Sequence, residues 1–472
     1  MKDHNSENMG YVVFLSAVAA LGGFLFGYDT AVISGTIKGV SAQFELGDIE
    51  TGWYVGCALI GSIAGVLMAG KLSDRYGRKP VLLCSAVMFA SSAIGCMFSY
   101  SIDELVVYRI IGGVGIGIAS IISPLYISEI SVARYRGRLV ALYQLAITVG
   151  IVGSYFANAA VLRYSLSASF EEHWLQEIFV SEIWRAMLGM EIIPALLFFI
   201  ILFFIPESPR WLVINQKEEY ARGVMSRLFG AQTAEKQIGE ILSLVQTETK
   251  SDWRLLFQPG FRTVLFVGIS LAMLGQFMGV NAVLYYGPVL FEEAGLAQNS
   301  SLDFQIIVGL VNVFSTVLAM WLIDRIGRKK LIYIGVSGMI VTLVGVSAYF
   351  MLNTTGEQLS PFLLLGLIMT YIFCCAISIC AVIFVLLSEM YPVKVRGAAM
   401  SIAGFALWIG TYLIGQLTPW LLTSLAPSGV FLLFACMCVP YLLITWKLVP
   451  ETTGRSLEEI EQMVVNKYDN VS

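Results

Sequence analysis

The chain has 472 residues, 57% of them hydrophobic and only 13% charged, with a net charge of −4. Soluble domains carry roughly 45–50% apolar and about 25% charged residues, so this composition excludes a soluble globular protein, and without a basic face no nucleic-acid partner is expected. The eight cysteines (Cys57, Cys84, Cys96, Cys374, Cys375, Cys380, Cys436 and Cys438) fall in apolar runs and read as small packing residues, while His4 and His173 lie outside those runs. Neither a disulfide framework, nor a metal site, nor a histidine proton relay is expected.

Met1 to Met9 is a polar start lacking the basic region of a cleaved signal. Twelve apolar spans follow: 11–37, 53–70, 80–100, 105–127, 139–162, 184–205, 263–291, 304–323, 331–352, 362–387, 398–425 and 430–449. Most reach the roughly 20 residues a helix needs to cross a bilayer. The basic turns (71–79, 134–138, 325–330 and 394–396) alternate with acidic or neutral loops carrying Glu45, Asp48 and Glu50, then Asp103 and Glu104, then Glu171, Glu172 and Glu177, then Glu292, Glu293 and Asp303. Short cytoplasmic loops collect Lys and Arg, so the alternation predicts a multi-pass plasma-membrane protein with both termini in the cytoplasm. In a Gram-negative bacterium this would be the inner membrane. Lys38 and Arg163 are the exceptions to the alternation.

Residues from about Pro206 to Pro259 are mixed in charge, and Val224, Leu228, Ile238, Ile241, Leu242 and Val245 recur there at helical spacing. They predict a cytoplasmic helical insert. The rest of the chain states one pattern twice. Asp74-Arg75-Tyr76-Gly77-Arg78-Lys79 returns as Asp324-Arg325-Ile326-Gly327-Arg328-Lys329, 250 residues later, and Ser128-Glu129 with Arg136-Gly137 returns as Ser388-Glu389 with Arg396-Gly397. The fold class expected is therefore all-α, with two pseudo-symmetric six-helix halves. Residues 1–206 form the first, 207–259 the linker, 260–450 the second and 451–472 a cytoplasmic tail.

Glycine-rich runs such as Gly112-Gly113-Val114-Gly115-Ile116-Gly117 lack both a preceding strand and a following Lys-Ser/Thr. They read as close helix approaches rather than a nucleotide site, and no cofactor is expected. The chemistry lies with charges inside the spans: Asp29 in the first, Arg109 in the fourth and Glu191 in the sixth. A charge at the bilayer centre costs on the order of 2.5–3.5 kcal/mol, so each must be paired or face water. Asp29 lies roughly 27 Å along an outward-going span, while Arg109 and Glu191 lie roughly 6 and 10 Å down inward-going ones. All three share the outer third of the membrane. They form either a permanent ion pair holding the first half together or a proton-coupling site in which Arg109 shifts the proton affinity of Asp29.

Taken together, Gly27-Tyr28-Asp29-Thr30-Ala31, the two Asp-Arg-x-Gly-Arg-Lys turns, Tyr108-Arg109-Ile110-Ile111-Gly112-Gly113, Glu129 with Arg136-Gly137, Pro206-Glu207-Ser208-Pro209-Arg210-Trp211-Leu212 and Pro450-Glu451-Thr452 with Gly454 resemble the sugar porters of the major facilitator superfamily over nearly the whole chain. The resemblance implies two bundles rocking about a central sugar site, with an acid at the position of Asp29 characteristic of proton-coupled members. Hydroxyls need amides that both donate and accept, and sugar C–H faces need rings. The family's binding positions match Gln144, Gln276, Asn281 and Asn312, with Phe26, Trp408 and Phe384 as ring faces and Tyr285 and Tyr286 near the outer gate. The gating positions match Arg75, Glu129, Arg136, Arg325, Glu389 and Arg396 at cytoplasmic span ends. The chain departs from the family at Gly275, at Cys380-Ala381 (where Gly-Pro is common), at Phe384 and at Leu407, each of which removes a polar contact or alters a hinge. The partners implied are a monosaccharide (pentose, hexose or related polyol), a proton and the lipid bilayer. The expected activity is import of that sugar with a proton, and not an enzymatic one. A passive facilitator keeps the same fold with Asp29 purely structural, and a membrane sensor would carry a longer cytoplasmic tail than the residues after Val449.

Overall fold

The computed structural model describes residues 8–131, 134–247, 261–355, 359–391, 395–449 and 451. The expected tail, from Thr452 onward, and the linker residues 248–259 lie outside them. So do the Lys394 turn residue, the Pro450 and Gly454 marks, His4 and the side chains of Asp324 and Val245. Every described element is helical. In order they are α1 (Met9–Gln43), α2 (Asp48–Tyr76), α3 (Arg78–Met97), α4 (Ile102–Ile130), α5 (Arg136–Ser165), the single turn α6 (His173–Gln176), α7 (Ile183–Gly189) and α8 (Ile192–Leu202). The linker forms α9 (Pro209–Ile214), α10 (Glu218–Phe229) and α11 (Ala231–Thr247). Then come α12 (Phe261–Phe277), α13 (Val280–Glu293), α14 (Gln298–Ile326), α15 (Arg328–Thr354), α16 (Pro361–Cys375), α17 (Ala381–Met390) and α18 (Arg396–Lys447).

Among the described residues, eleven stretches are long and apolar enough to cross a membrane. The last, α18, runs for 52 residues but breaks at Ala426, where φ is 54°. Pro427 follows, and a residue before proline is kept out of the α region, so the chain folds back there and α18 supplies two spans, making twelve. Three other spans are continuous in hydropathy but broken in backbone. Span six breaks at Met190–Glu191 between α7 and α8, because Pro194 offers no N–H for the turn before it. Span seven breaks at Gly279, which takes a left-handed φ of 87° open to glycine without steric cost. Span ten carries a π turn over Ala376–Cys380 between α16 and α17.

The described residues fall into two compact units. One takes α1 up to Val32, then Cys57–Ala157, then Tyr164 through the linker helices; the other takes Ile33–Gly56, Asn158–Arg163 and the chain from α12 onward. Helices α1, α2 and α5 thus contribute to both. Within the first unit, α10 and α11 bury Ala221, Met225, Leu228, Ala234 and Ile238 and expose an Arg222–Glu235 pair. Of the apolar positions read from the sequence, Leu228 and Ile238 are buried and Val224, Ile241 and Leu242 are half-buried. Within the second unit, Lys38 Nζ lies 2.6 Å from Glu292 and Arg163 Nη2 lies 2.5 Å from Asp303. The two cations that break the charge alternation of the loops are therefore each matched to an acid from the C-terminal half of the sequence. Beside them the Gln416 amide donates to the Ile49 carbonyl at 2.8 Å.

Candidate functional site

In the first unit the three intramembrane charges meet. Asp29, Arg109 and Glu191 are 1%, 2% and 2% exposed. Arg109 Nη1 donates to Asp29 Oδ1 at 2.5 Å and approaches the Asp29 carbonyl at 3.4 Å. The Glu191 carboxyl lies against that of Asp29. Local sequence explains each position. Glu191 sits in the tightened turn between α7 and α8, where its N–H donates to the Leu188 carbonyl, and its side chain is buried. Gly112, one turn beyond Arg109, clears space beside Asp29: a Cβ there would come 3.8 Å from Asp29 Oδ1 and crowd Ser92 Oγ. Asp29 Oδ2 and Glu191 Oε1 are buried and accept no hydrogen bond. Two carboxyls face one guanidinium, so with both ionised the cluster carries a net negative charge in a medium that penalises it. One added proton makes it neutral. The arrangement is therefore able to take up and release a single proton on a carboxyl oxygen.

In the second unit two of the four amides expected to read hydroxyls, Gln276 and Asn281, come together at the break of span seven. The left-handed turn at Gly279 bends span seven so that Asn281 Nδ2 donates to Gln276 Oε1 at 2.8 Å, and Thr411 Oγ1 on α18 lies 3.1 Å from the same oxygen. Thr411 was not legible as a site residue, since a lone threonine in an apolar span carries no signal. Its single hydroxyl proton is shared between that Gln276 oxygen and the Leu407 carbonyl, one turn back at 2.9 Å. The Met278 carbonyl freed by the break accepts from Tyr371 Oη at 2.7 Å. Tyr286 is buried and donates to the Gly415 carbonyl at 2.7 Å, and Tyr285 beside it is also buried. Asn312 on α14 and Trp408 on α18 are half-buried and Phe384 on α17 is half exposed, while Gln144 and Phe26 are half-buried on α5 and α1 in the first unit.

At the basic turns the two arginines of each copy have different surroundings. Arg75 is exposed with its guanidinium over Tyr76, and Arg325 lies over Trp321. The paired arginines are instead those that follow the glycines. Arg78 binds Glu129 through Nε and Nη2, both at 2.9 Å, and Arg328 binds Glu389 at 3.0 Å. Gly77 and Gly327, at φ 101° and 97°, reverse the chain between the two arginines of each turn, so the first stays on the exposed end of one helix and the second opens the next helix facing inward. Arg136 is exposed, and Arg396 donates to the Tyr391 carbonyl.

Glu207 completes the first turn. Its carboxylate accepts from the backbone N–H groups of Arg78, Lys79 and Ser208, capping a helix whose own N-cap glycine has no side chain to do so. Burial pushes this carboxyl above the usual range, and the three N–H groups and the Arg78 charge oppose the shift. Lys79 Nζ donates to the Phe203 and Ile205 carbonyls at the end of α8. The second unit repeats the device. Lys329 N donates to Glu451, and Lys329 Nζ donates to the Trp446 and Val449 carbonyls at the end of α18.

Comparison with known proteins agrees with this geometry. Residues 15–464 match the family described as sugar (and other) transporter. The chain is 38% identical over 460 residues to the arabinose-proton symporter of Bacillus subtilis (strain 168), covering 97% of this chain and 96% of the relative. It is 36% identical over 489 residues to the D-xylose-proton symporter of Escherichia coli (strain K12), with the same two coverages. The inward-open structure of the xylose transporter XylE from E. coli matches with a TM-score of 0.82 at 35% identity, over 96% of this chain and all of that one. The chain belongs to the sugar porter family of the major facilitator superfamily.

Proposed function

We propose that this protein imports a monosaccharide together with a proton by alternating access, through two six-helix halves, 1–206 and 260–450, joined by the 207–259 linker with both termini in the cytoplasm. The observation that carries the reading is the buried Asp29–Arg109–Glu191 cluster, one positive charge short of neutrality, in a chain similar to an arabinose-proton and a D-xylose-proton symporter. The roles follow from chemistry. Asp29 takes the proton, Arg109 and Glu191 set its affinity, and the Gln276–Asn281–Thr411 set reads sugar hydroxyls with Asn312, Gln144 and the rings of Phe26, Tyr285, Phe384 and Trp408. The ion pairs at the basic turns brace the cytoplasmic ends of the helices, with Arg136 and Arg396 available to exchange partners as the state changes.

Uptake into proteoliposomes across pentoses, hexoses, deoxysugars and polyols tests the reading. At least one sugar is expected to accumulate against its gradient when the proton gradient points inward, and to equilibrate without accumulating when a protonophore is added. Equal uptake under both conditions would make the protein a passive facilitator.

The amide set gives a second expected result. Gln276→Ala removes both the amide N–H donor and the acceptor that orients Asn281. Losing a buried partner costs about 1–3 kcal/mol, so the half-saturating sugar concentration is expected to rise roughly tenfold to a hundredfold. Thr411→Val leaves the donor in place and should raise it less. Equal effects of the two substitutions would place sugar recognition elsewhere.

A further inference from the structure

Residues five apart in an α-helix are separated by about 7.5 Å along the axis alone, beyond the roughly 7 Å between Cα atoms that a disulfide tolerates. Two cysteines at that spacing in a regular span could not react with each other. Span ten is not regular. Its π turn over Ala376–Cys380 replaces i→i+4 by i→i+5 closure and brings Cys375 and Cys380 onto one side of the turn, with their sulfurs 3.7 Å apart. Cys380 is exposed and Cys375 buried, so a small oxidant reaches the first thiol and only the protein reaches the second.

The same turn, and the helix before it, touch the backbone on either side of Gln276. Ile379 packs so closely on Gly275 that a Cβ there would lie 3.2 Å from its side chain. Tyr371, one turn before Cys375, donates to the Met278 carbonyl at the break beside Gln276 and Asn281. Phe384 lies one turn beyond Cys380. A change in helical register between Cys375 and Cys380 therefore shifts Tyr371 and Phe384 relative to each other and moves the floor under Gln276.

We propose that Cys375 and Cys380 form an oxidisable dithiol, and that their disulfide locks the π turn of span ten and stops transport. With hydrogen peroxide as oxidant, the Cys380 thiol becomes a sulfenic acid and the peroxide releases one water. The Cys375 thiol then attacks that sulfur, the S–S bond forms, and the sulfenic oxygen leaves as a second water with the Cys375 proton. Two electrons pass from sulfur to peroxide. The bond holds the register in which it formed, since relaxation to an α turn would separate the Cα atoms beyond its reach.

The experiment uses the full chain in proteoliposomes, with the six other cysteines replaced by alanine and the native chain run in parallel. Peroxide is expected to lower the mass by about 2 Da, with a Cys375–Cys380 crosslink recovered in peptide maps, and dithiothreitol to reverse it. Amide hydrogen exchange across 371–384 should slow at least about tenfold in the oxidised form. Because the transport arm rests on the proposed function, uptake is measured before oxidation and again after, with a fall of about tenfold or more expected and recovery on reduction. Cys375→Ser in the native chain should keep its uptake under peroxide. An unchanged mass, or a crosslinked chain with unchanged exchange, would overturn the proposal. A chain that fails to transport before oxidation would overturn the transport reading while the mass and exchange results still decide the dithiol.

Discussion

Asp29→Asn is expected to abolish accumulation of sugar in response to an inward proton gradient while leaving sugar binding and sugar-for-sugar exchange in place. The carboxyl is 1% exposed and bonded to Arg109 at 2.5 Å, with Glu191 against it. Asparagine keeps its shape and an oxygen to accept the guanidinium N–H but has no proton to exchange. The substitution also leaves the cluster balanced, since Arg109 still faces the carboxylate of Glu191 and no buried charge is stranded. Folding should therefore survive, and thermal unfolding in detergent should stay near wild type. Every tenfold of accumulation corresponds to about 1.4 kcal/mol drawn from the gradient. Without a proton site none of it is available, and the inside-to-outside ratio should fall to about one. A mutant that still concentrated sugar at matched incorporation would move the coupling proton to Glu191, and Glu191→Gln would become the decisive substitution.

The second large effect is on stability. Arg78→Ala is expected to destabilise the protein by about 3–5 kcal/mol, the range for removing one partner of a buried ion pair. The side chains of Arg78 and Glu129 are 7% and 4% exposed, so solvent screening does little to soften the loss. The guanidinium also donates to the Ser73 carbonyl, and Glu129 accepts from Ser208 Oγ, so the substitution leaves several groups short of partners at once. Arg75→Ala, three residues earlier and exposed over Tyr76, should change stability by about 0.5 kcal/mol or less. Removing the stranded acid in Arg78→Ala/Glu129→Gln should recover part of the loss. Thermal unfolding of the four proteins in one detergent decides the point. Equal melting of the Arg75 and Arg78 variants would sink the assignment.

The same contrast shows where local reading stops. Both arginines of the Asp-Arg-x-Gly-Arg-Lys turn are visible in the sequence, and both are cations at a span end. Which one is buried depends on the left-handed φ of Gly77, which points the next residue into the bundle, and on Glu129, 51 residues further along. Glu207 has no distinguishing local pattern beyond its Pro-Glu-Ser setting, yet it caps α3 because Gly77 cannot. Thr411 becomes part of the amide set only because α18 runs past the break at Gly279.

The sequence by itself determined the solvent, the repeat and the neighbourhood of the charges. Hydropathy sums over about twenty residues and loop charges act on span ends, so the spans, and the presence of Asp29, Arg109 and Glu191 within them, follow from one-dimensional bookkeeping. The structure alone decided backbone breaks and partners. Continuous apolar runs hide the turns at Gly279, Glu191 and Ala376–Cys380, because hydropathy is blind to hydrogen-bond register. It also matched Lys38 to Glu292 and Arg163 to Asp303, 254 and 140 residues apart. Such pairings are set by which helices pack side by side, and that depends on the whole chain at once.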